Sequence, residues 1–313
     1  MAFTAKSGKF SASINSVEVG CGDKKIVLGG ENVLPFYTFD APVENAPKVG
    51  VEITDSGLEN EPECVKKYYE GCETVVDMAK RAASFEGVDF LSFRMDGGDP
   101  NGANKSTEEL IAMLKEIVAA VDLPLVVCGC KHAEKDAELL SKAAEAVDGR
   151  NALILAAKEE NYKQVGAAAG LAYKQVVGAE SAVDINLAKQ LNVLLTQLGV
   201  DGKSIVMNVG SAAAGYGFEY AVSTMDRVKA AALAQGDATL QMPIITPVAS
   251  EAWGVIEAMA SEADMPEWGN QEERGIDMEV ETAAAVLASG SNAVILKHPT
   301  SVATISKLIK ALV

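Results

Sequence analysis

Polar and charged side chains follow several short apolar segments along this chain, and at such positions they could bind a ligand or transfer a proton. The types include carboxylates, lysines, an arginine, thiols and an amide, which can pair with a charged ligand or hydrogen-bond a neutral one. The candidates are Glu52, Thr54, Asp55, Arg94, Asp96, Cys128, Cys130, Lys131, Lys158, Glu180, Asn208, Thr246, Lys297 and His298. Each could instead anchor a loop by hydrogen bonds, so the fold decides which of them can contact a ligand.

A metal centre built on histidine is not expected. The chain has only two histidines, His132 and His298, and neither stands in a His-x-x-x-His or Glu-x-x-His spacing. Five cysteines occur without a Cys-x-x-Cys pair, which argues against a disulfide framework and against closely spaced cluster ligands. Cys128 and Cys130 would share one face of a strand, as a metal or redox site needs, but packing in the core is the favoured interpretation.

A glycine-rich loop, residues 210–217, separates a predicted strand from a predicted helix. It lacks the Lys-Ser/Thr pair of a phosphate-binding P-loop and the complete glycine pattern of the dinucleotide fingerprint. Small residues instead allow the backbone to approach something flat or bulky. A large planar cofactor and a docked protein surface would both fit this loop.

The elements that must position these residues repeat as a strand followed by a helix. The clearest unit is residues 204–220, a buried strand followed by the glycine-rich loop and the start of a helix. Eight apolar strands are predicted, at residues 49–55, 88–94, 123–129, 151–158, 175–179, 204–207, 242–246 and 293–298. Eight such units match an α/β fold of the (β/α)₈ TIM barrel type in number and size, and a doubly wound open sheet is the alternative.

Apolar periodicity predicts the helices between these strands. The predicted helices include residues 62–83 as one long helix, 162–173, and two in the long connection after the seventh strand, near 250–262 and 277–288. They would form the outer layer of the barrel.

The amino-terminal residues predict a separate small element. Residues 10–19 and 25–28 are β-like and flank a Gly-Cys-Gly-Asp turn, which is typical of a hairpin. Prolines at positions 35, 42 and 47 mark an irregular connector after it. We therefore expect residues 1–46 to form a hairpin and connector, and residues 47–313 to form the barrel. Such a hairpin could plug one end of a closed sheet.

Composition restricts the class of partner. The chain has 313 residues, of which 49% are hydrophobic, and a formal charge of −17 at pH 7. That charge repels phosphate backbones and anionic lipid surfaces, so nucleic acid and membranes are poor partners. No uncharged stretch is long enough to span a bilayer, and a cytoplasmic protein is expected.

Several stretches, in the same order along the chain, resemble one known family. They are residues 214–220 (AGYGFEY), 234–237 (AQGD), 240–245 (LQMPII), 268–269 (WG), 272–275 (EERG) and 298–299 (HP). The chain is similar in these respects to the small (delta) subunit of the corrinoid iron–sulfur protein of the acetyl-CoA (Wood–Ljungdahl) pathway. The likeness extends along essentially the whole chain.

The resemblance implies a non-catalytic subunit of a methyl-transferring complex. It implies a heterodimer with a large subunit that carries a cobalamin domain and a [4Fe-4S] domain. Cobalamin would lie between the two chains, and this chain would hold no iron–sulfur cluster. Further implied partners are a methyltetrahydrofolate methyltransferase, which delivers the methyl group to cobalt, and CO dehydrogenase/acetyl-CoA synthase, which receives it.

The predicted cofactor contacts lie on a rim at the ends of the last three strands. Barrel ligands bind at the carboxyl ends of strands, and neutral polar groups there can hydrogen-bond propionamide side chains without adding charge. The predicted residues are Asn208, Gly210, Ser211, Tyr216, Thr246 and His298. No catalytic residue and no metal ligand is predicted.

Two other functions remain open at this point. One is a self-sufficient pterin-dependent methyltransferase, with Asp55, Asp96 and Asn208 around the pterin ring. The other is a scaffold subunit that only organises protein contacts. Methyl transfer by the isolated chain would distinguish the first of these from a partner barrel.

Overall fold

A parallel sheet of eight strands forms the centre of the molecule. The computed structural model describes residue 8 and residues 10–313. The strands of this sheet are β3 (Lys48–Thr54), β4 (Phe90–Arg94), β5 (Leu125–Cys128), β6 (Leu153–Ala157), β7 (Val176–Glu180), β8 (Ile205–Asn208), β9 (Ile245–Pro247) and β10 (Ala293–Leu296). They are hydrogen-bonded in the order β8-β7-β6-β5-β4-β3-β10-β9.

The sheet closes on itself between β8 and β9. A single parallel bridge joins Met207 to Ile244, and the Met207 N–H donates to the Pro243 carbonyl at 2.8 Å. This closure confirms the predicted (β/α)₈ barrel and excludes the doubly wound open sheet. The bridge lies just before β9, which begins at Ile245, three residues after the predicted start of that strand at position 242.

A two-stranded hairpin fills the amino-terminal end of the barrel. Its antiparallel strands are β1 (Val17–Val19) and β2 (Ile26–Leu28). Their buried side chains form one apolar cluster with Phe90 and Ala293, which are the first residues of β4 and β10. The predicted hairpin is therefore confirmed, although the strand predicted from residue 10 begins only at Val17. The division into residues 1–46 and 47–313 stays a prediction.

The connector after the hairpin is tied to the barrel by a buried lysine. Lys229, only 2% exposed, donates to Glu31 Oε1 at 2.6 Å and to Asn292 Oδ1 at 3.0 Å. Asn292 Nδ2 donates to the same Glu31 oxygen at 2.9 Å. Because buried charges are stable only when they are paired, this contact fixes the connector against the barrel wall.

Helices cover the outside of the barrel and return the chain between parallel strands. They are α1 (Glu63–Lys66), α2 (Val75–Ala82), α3 (Thr107–Ala120), α4 (Ala133–Ala146), α5 (Tyr162–Val165), α6 (Ile185–Leu198), α7 (Phe218–Ala234), α8 (Ala249–Ala252), α9 (Ile256–Met259), α10 (Gln271–Ser289) and α11 (Pro299–Leu312). Short 3-10 turns lie between several of them, and α5 continues as a π-helix over Gly166–Ala172, within the predicted helix 162–173.

The prediction of one helix over residues 62–83 is wrong. Helix α1 ends at Lys66, a 3-10 turn follows, and α2 begins only at Val75. Gly71 adopts a φ of +81°, a left-handed conformation that a helix interior does not contain. Thr74 then caps α2 in a capping box with Asp77, so a new helix start interrupts the apolar pattern.

The two helices predicted after the seventh strand also differ from the structure. Residues 250–262 form two short helices, α8 and α9, because the chain turns at Trp253 and places that ring against His298 with centroids 5.9 Å apart. Helix α10 begins at Gln271 rather than at residue 277. Asn270 caps it, since its Oδ1 accepts from the Glu273 N–H at 3.0 Å.

Candidate functional site

The carboxyl ends of the strands surround a cavity of about 260 Å³, which we call the mouth cavity. It extends from the end of β4 to the loop after β9. Its lining includes Arg94, Cys128, Lys131, Asp136, Lys158, Glu180, Val183, Asn208, Gly210, Ser211, Pro247 and Glu251. Positive and negative side chains therefore face the same space.

A buried ion pair forms the inner wall of the mouth cavity. Arg94 Nε and Nη2 donate to Glu52 Oε2 at 2.9 and 2.6 Å, and the two side chains are 5% and 2% exposed. Burial alone would raise the pKa of Glu52, but the adjacent guanidinium outweighs burial and holds that pKa below its ordinary value. The pair therefore remains charged inside the barrel.

A second polar network lies at the ends of β6, β7 and β8. Lys158 Nζ lies 3.1 Å from Glu180 Oε1, and Asn208 Nδ2 donates to Glu180 Oε2 at 3.2 Å. The Gly210 N–H donates to Asn208 Oδ1 at 3.1 Å, which fixes the orientation of the amide. The loop after β8 is thereby tied to the neighbouring strand.

One ion pair spans the cavity entrance. Lys131 follows β5 and Glu251 lies in α8, after β9, and these two strands stand on opposite sides of the barrel. Lys131 Nζ lies 3.8 Å from Glu251 Oε1, with the two side chains 56% and 38% exposed. Because an exposed pair of this kind contributes little to stability, its removal would cost the fold little.

A second cavity of about 310 Å³ lies beside the first, at the ends of β3, β4 and β10. Asp96, Lys105 and Lys297 line it, and Lys297 is held by Glu61 Oε2 at 2.6 Å. Asp55 is already engaged there, because it accepts from the Gly97 N–H at 2.8 Å and from Lys105 Nζ at 2.7 Å.

The three residues proposed to surround a pterin ring do not meet in one cavity. Asn208 lines the mouth cavity, whereas Asp96 lines the second one. Asp55 is buried and fully paired with Lys105 and Gly97. This arrangement gives the methyltransferase alternative no support.

The family model described as CO dehydrogenase/acetyl-CoA synthase delta subunit matches residues 16–299. The chain belongs to this family. The resemblance noted in the sequence to a delta subunit is thereby confirmed.

Individual relatives of this delta-subunit chain include subunits from Methanosarcina and Methanothermobacter. It is 31% identical over 301 residues to acetyl-CoA decarbonylase/synthase complex subunit delta 2 of Methanosarcina acetivorans, covering 95% of this chain and 68% of the relative. It is 32% identical over 296 residues to subunit delta of the same-named complex of Methanothermobacter thermautotrophicus, covering 94% and 74%. Those names describe subunits of one multi-subunit complex.

Solved structures with the same fold include dihydropteroate synthases. The enzyme from Vibrio fischeri superposes with a TM-score of 0.57 at 10% identity, covering 94% of this chain and 97% of that one. The enzyme from Xanthomonas albilineans, with 4-aminobenzoic acid, gives a TM-score of 0.53 at 14% identity, covering 95% and 98%. At such identities the likeness shows the shared barrel and carries nothing about ligands.

Three of the six rim residues predicted for this delta-subunit barrel line the mouth cavity. Asn208, Gly210 and Ser211 lie together along it. Ser211 Oγ is buried and has no hydrogen-bond partner among the described residues. Gly210 has a φ of +92°, and a Cβ there would lie 3.0 Å from the Val183 nitrogen, so the loop after β8 passes close to the loop after β7.

The other three predicted residues lie outside the mouth cavity. Tyr216 is half exposed and donates to Glu257 Oε2 at 2.7 Å. Thr246 is buried against Ser291, with 2.8 Å between their hydroxyl oxygens. His298 is fully buried between Tyr68 and Trp253, and its Nδ1 accepts from the Thr300 N–H at 3.1 Å as the cap of α11.

The two strand-end thiols are held in their protonated form. Burial raises the pKa of Cys128 to about 11 and that of Cys130 to about 12. A thiolate is the form that binds metals and attacks substrates, so the raised pKa values favour packing in the core over either role at neutral pH. Within residues 8 and 10–313, no three histidine, cysteine, aspartate or glutamate side chains are grouped to hold a metal ion.

Sequence reasoning missed Asp136 and Glu251 as cavity residues. Glu251 lies in α8, inside the stretch predicted as one helix, so the turn that brings it to the mouth gave no signal. Asp136 lies in the first turn of α4, and its Oδ1 accepts from the Cys130 N–H at 2.7 Å. An acidic residue in a first helical turn is the signal that could have identified it.

Among the described residues, none of the helices has the length and apolar character to cross a bilayer.

Proposed function

We propose that this chain is the small subunit of a heterodimeric corrinoid iron–sulfur methyl carrier. It would cover a cobalamin held together with the large subunit, and it would itself perform no chemistry. Membership of the delta-subunit family supports a place in the acetyl-CoA synthase complex. When bound, the corrinoid supplies a cobalt ion that carries the methyl group.

The observation that carries the proposal is the loop after β8. Its backbone passes the mouth cavity on small residues, and Ser211 Oγ is a buried hydroxyl that lacks a partner among the residues described. A buried polar atom without a partner is costly unless another molecule supplies one. The loop therefore fits a flat ligand that brings hydrogen-bonding groups to the barrel mouth.

The composition of the mouth fits a corrinoid in a second respect. A corrin ring has apolar faces and a periphery of neutral carboxamides. Asn208 and Ser211 offer neutral polar groups, and the mouth cavity holds equal numbers of cationic and anionic side chains. In the proposed role these residues bind and orient the cofactor, and the barrel mouth keeps water from its covered face.

A partner surface adjoins this mouth on the side of α7 and α9. Tyr216, Tyr220 and Ile256 are 50%, 67% and 54% exposed, and the bond from Tyr216 to Glu257 places the two segments side by side. Exposed aromatic and aliphatic side chains in one region are typical of protein interfaces. We propose that the large subunit docks here and brings the [4Fe-4S] domain with it.

The wider assembly follows the same proposal. A methyltetrahydrofolate methyltransferase would deliver the methyl group, and CO dehydrogenase/acetyl-CoA synthase would receive it. In this assembly the [4Fe-4S] cluster would belong to the large subunit.

The test is a bulky substitution in the loop after β8. Ser211→Trp should hinder corrinoid seating or shift the cobalt absorption spectrum of the assembled heterodimer. Asp122→Trp is the matched control, because Asp122 is an exposed loop residue at the amino-terminal end of β5. An assembled Ser211→Trp heterodimer with an unchanged spectrum and normal methyl transfer would remove this loop from the corrinoid site.

A second measurement separates this proposal from the methyltransferase alternative. The isolated chain is mixed with methyltetrahydrofolate and free cobalamin, and methylcobalamin is followed by its absorbance. No turnover is expected. Turnover at an ordinary enzymatic rate would contradict a non-catalytic role.

A further inference from the structure

Arg94 carries hydrogen-bond donors that the protein leaves unused. A guanidinium has five N–H donors, and Arg94 directs only those on Nε and Nη2 to Glu52. Across residues 10–313, nothing accepts a hydrogen bond from its Nη1. Arg94 is 4% exposed and lines the mouth cavity. A deeply buried side chain thus has donors available to a ligand atom that can accept.

Acceptors are available on another wall of the same cavity. Glu180 is held by Lys158 and by Asn208 Nδ2, at 3.1 and 3.2 Å. An ionised carboxylate has about four lone-pair sites, so Glu180 can accept further hydrogen bonds from a ligand N–H. The ligand group that fits both walls has an acceptor atom and a donor atom.

The charged side chains that line the mouth cavity determine which kind of ligand group it can bind. Three cationic side chains line the cavity, and three carboxylates balance them: Arg94, Lys131 and Lys158 against Asp136, Glu180 and Glu251. Glu52 lies behind Arg94 and adds a further negative charge. A ligand carboxylate or phosphate would face these acids, and a ligand ammonium would face Arg94 and the lysines. A neutral carboxamide is repelled by neither the acidic nor the basic side chains, and it supplies both an acceptor oxygen and an N–H donor.

The cavity has room for such a group. At about 260 Å³ it is several times larger than the roughly 30 Å³ that one water occupies in the liquid. A short side chain ending in an amide fits this space, whereas the corrin ring itself does not and would remain above the mouth.

We infer that the mouth cavity binds one peripheral carboxamide side chain of the corrinoid, with its oxygen accepting from Arg94 and its NH₂ group donating to Glu180. This inference rests on the proposed function. It makes Arg94 and Glu180 specificity-determining residues that distinguish an amide from an acid at one position on the ring.

The experiment uses the assembled heterodimer and a set of corrinoids, each with a different single carboxamide hydrolysed to the carboxylate. Binding is followed by the cobalt absorption spectrum. At least one mono-acid should bind wild-type protein about tenfold or more less tightly than the intact corrinoid, because its carboxylate would face Glu180. Equal affinity for every member of the set would overturn the inference.

Glu180→Gln provides the reciprocal test. It removes the acidic acceptor and leaves Lys158 unpaired, so it should reduce discrimination against that same mono-acid by about tenfold and leave the others unchanged. The matched control is Glu145→Gln, since Glu145 pairs with Lys142 at 3.3 Å on the exposed face of α4. If Glu180→Gln leaves the discrimination intact, the amide is recognised elsewhere and the inference is wrong.

The two proposals fail in different ways. If the intact corrinoid binds the large subunit equally well with and without this chain, the proposed function fails. If this chain is needed for binding but every mono-acid binds as well as the intact corrinoid, only the carboxamide inference fails.

Discussion

His298 is a buried histidine whose titration contributes to the pH dependence of stability. Burial lowers its pKa from 6.5 to about 4, although Glu272, with an oxygen 3.3 Å from Nε2, opposes the shift. The unfolded chain therefore binds more protons between these values, and stability falls as the pH drops from about 6.5 to 4. Over that range the loss should reach about 3 kcal/mol.

The prediction can be measured by urea unfolding at a series of pH values. His298→Asn should remove this part of the pH dependence, because asparagine can still cap α11 but does not titrate. Only His132 shares the histidine region of the NMR spectrum, so the His298 resonance can be followed directly. A His298 midpoint near 6.5 would contradict the prediction.

The sequence located part of the candidate site because strand ends can be recognised in it. Asn208, Gly210 and Ser211 follow a clear apolar strand, and the structure places them at the mouth. Thr246 could not be placed, because the direction of its side chain depends on strand register. The neighbouring Ile245 packs inside the barrel, so Thr246 faces outward. Neither the partners of Arg94 nor those of Glu180 have a local sequence signal.

At the scale of single elements, the capping box that begins α2 makes a testable contribution to stability. The Thr74 hydroxyl accepts from the Asp77 N–H at 3.1 Å, and Asp77 Oδ2 accepts from the Thr74 N–H at 3.2 Å. Thr74→Ala removes this cap and should destabilise the protein by about 1 kcal/mol in urea unfolding.

Thr196→Ala is the matched control for the cap. Thr196 lies on the exposed side of α6, where its hydroxyl donates to the Asn192 carbonyl at 2.8 Å. Alanine has the higher helix propensity, so this change should leave stability equal or slightly raised. An equal loss in both variants would show that the cap contributes nothing specific.

The boundaries of strands and helices explain which elements could be predicted from the sequence and which could not. The apolar strands were found because buried parallel strands are short and continuous in hydrophobicity. The helix predicted over 62–83 failed because apolar residues continue at helical spacing across Gly71, whose left-handed backbone ends the helix. A glycine inside an apolar pattern does not by itself disclose its φ angle.

For the molecule as a whole, the exposed residues beside the barrel mouth predict how the chain assembles. Ile256→Asp places a charge in the proposed partner surface and should weaken binding to the large subunit by about tenfold or more. Leu312→Asp is the control, because Leu312 is similarly exposed, at 42%, but lies at the far end of α11. Size-exclusion co-elution and titration would measure both. Wild-type co-elution of Ile256→Asp would remove this surface from the interface.

The hairpin in the amino-terminal end of the barrel has a consequence for biosynthesis. Val17 and Leu28 emerge from the ribosome before any barrel strand, yet their cluster includes Ile245 and Ala293, which are made more than two hundred residues later. Contacts this distant in sequence slow folding. The apolar face of the hairpin is therefore completely covered only after the last strands have been made, and until then a chaperone could bind it.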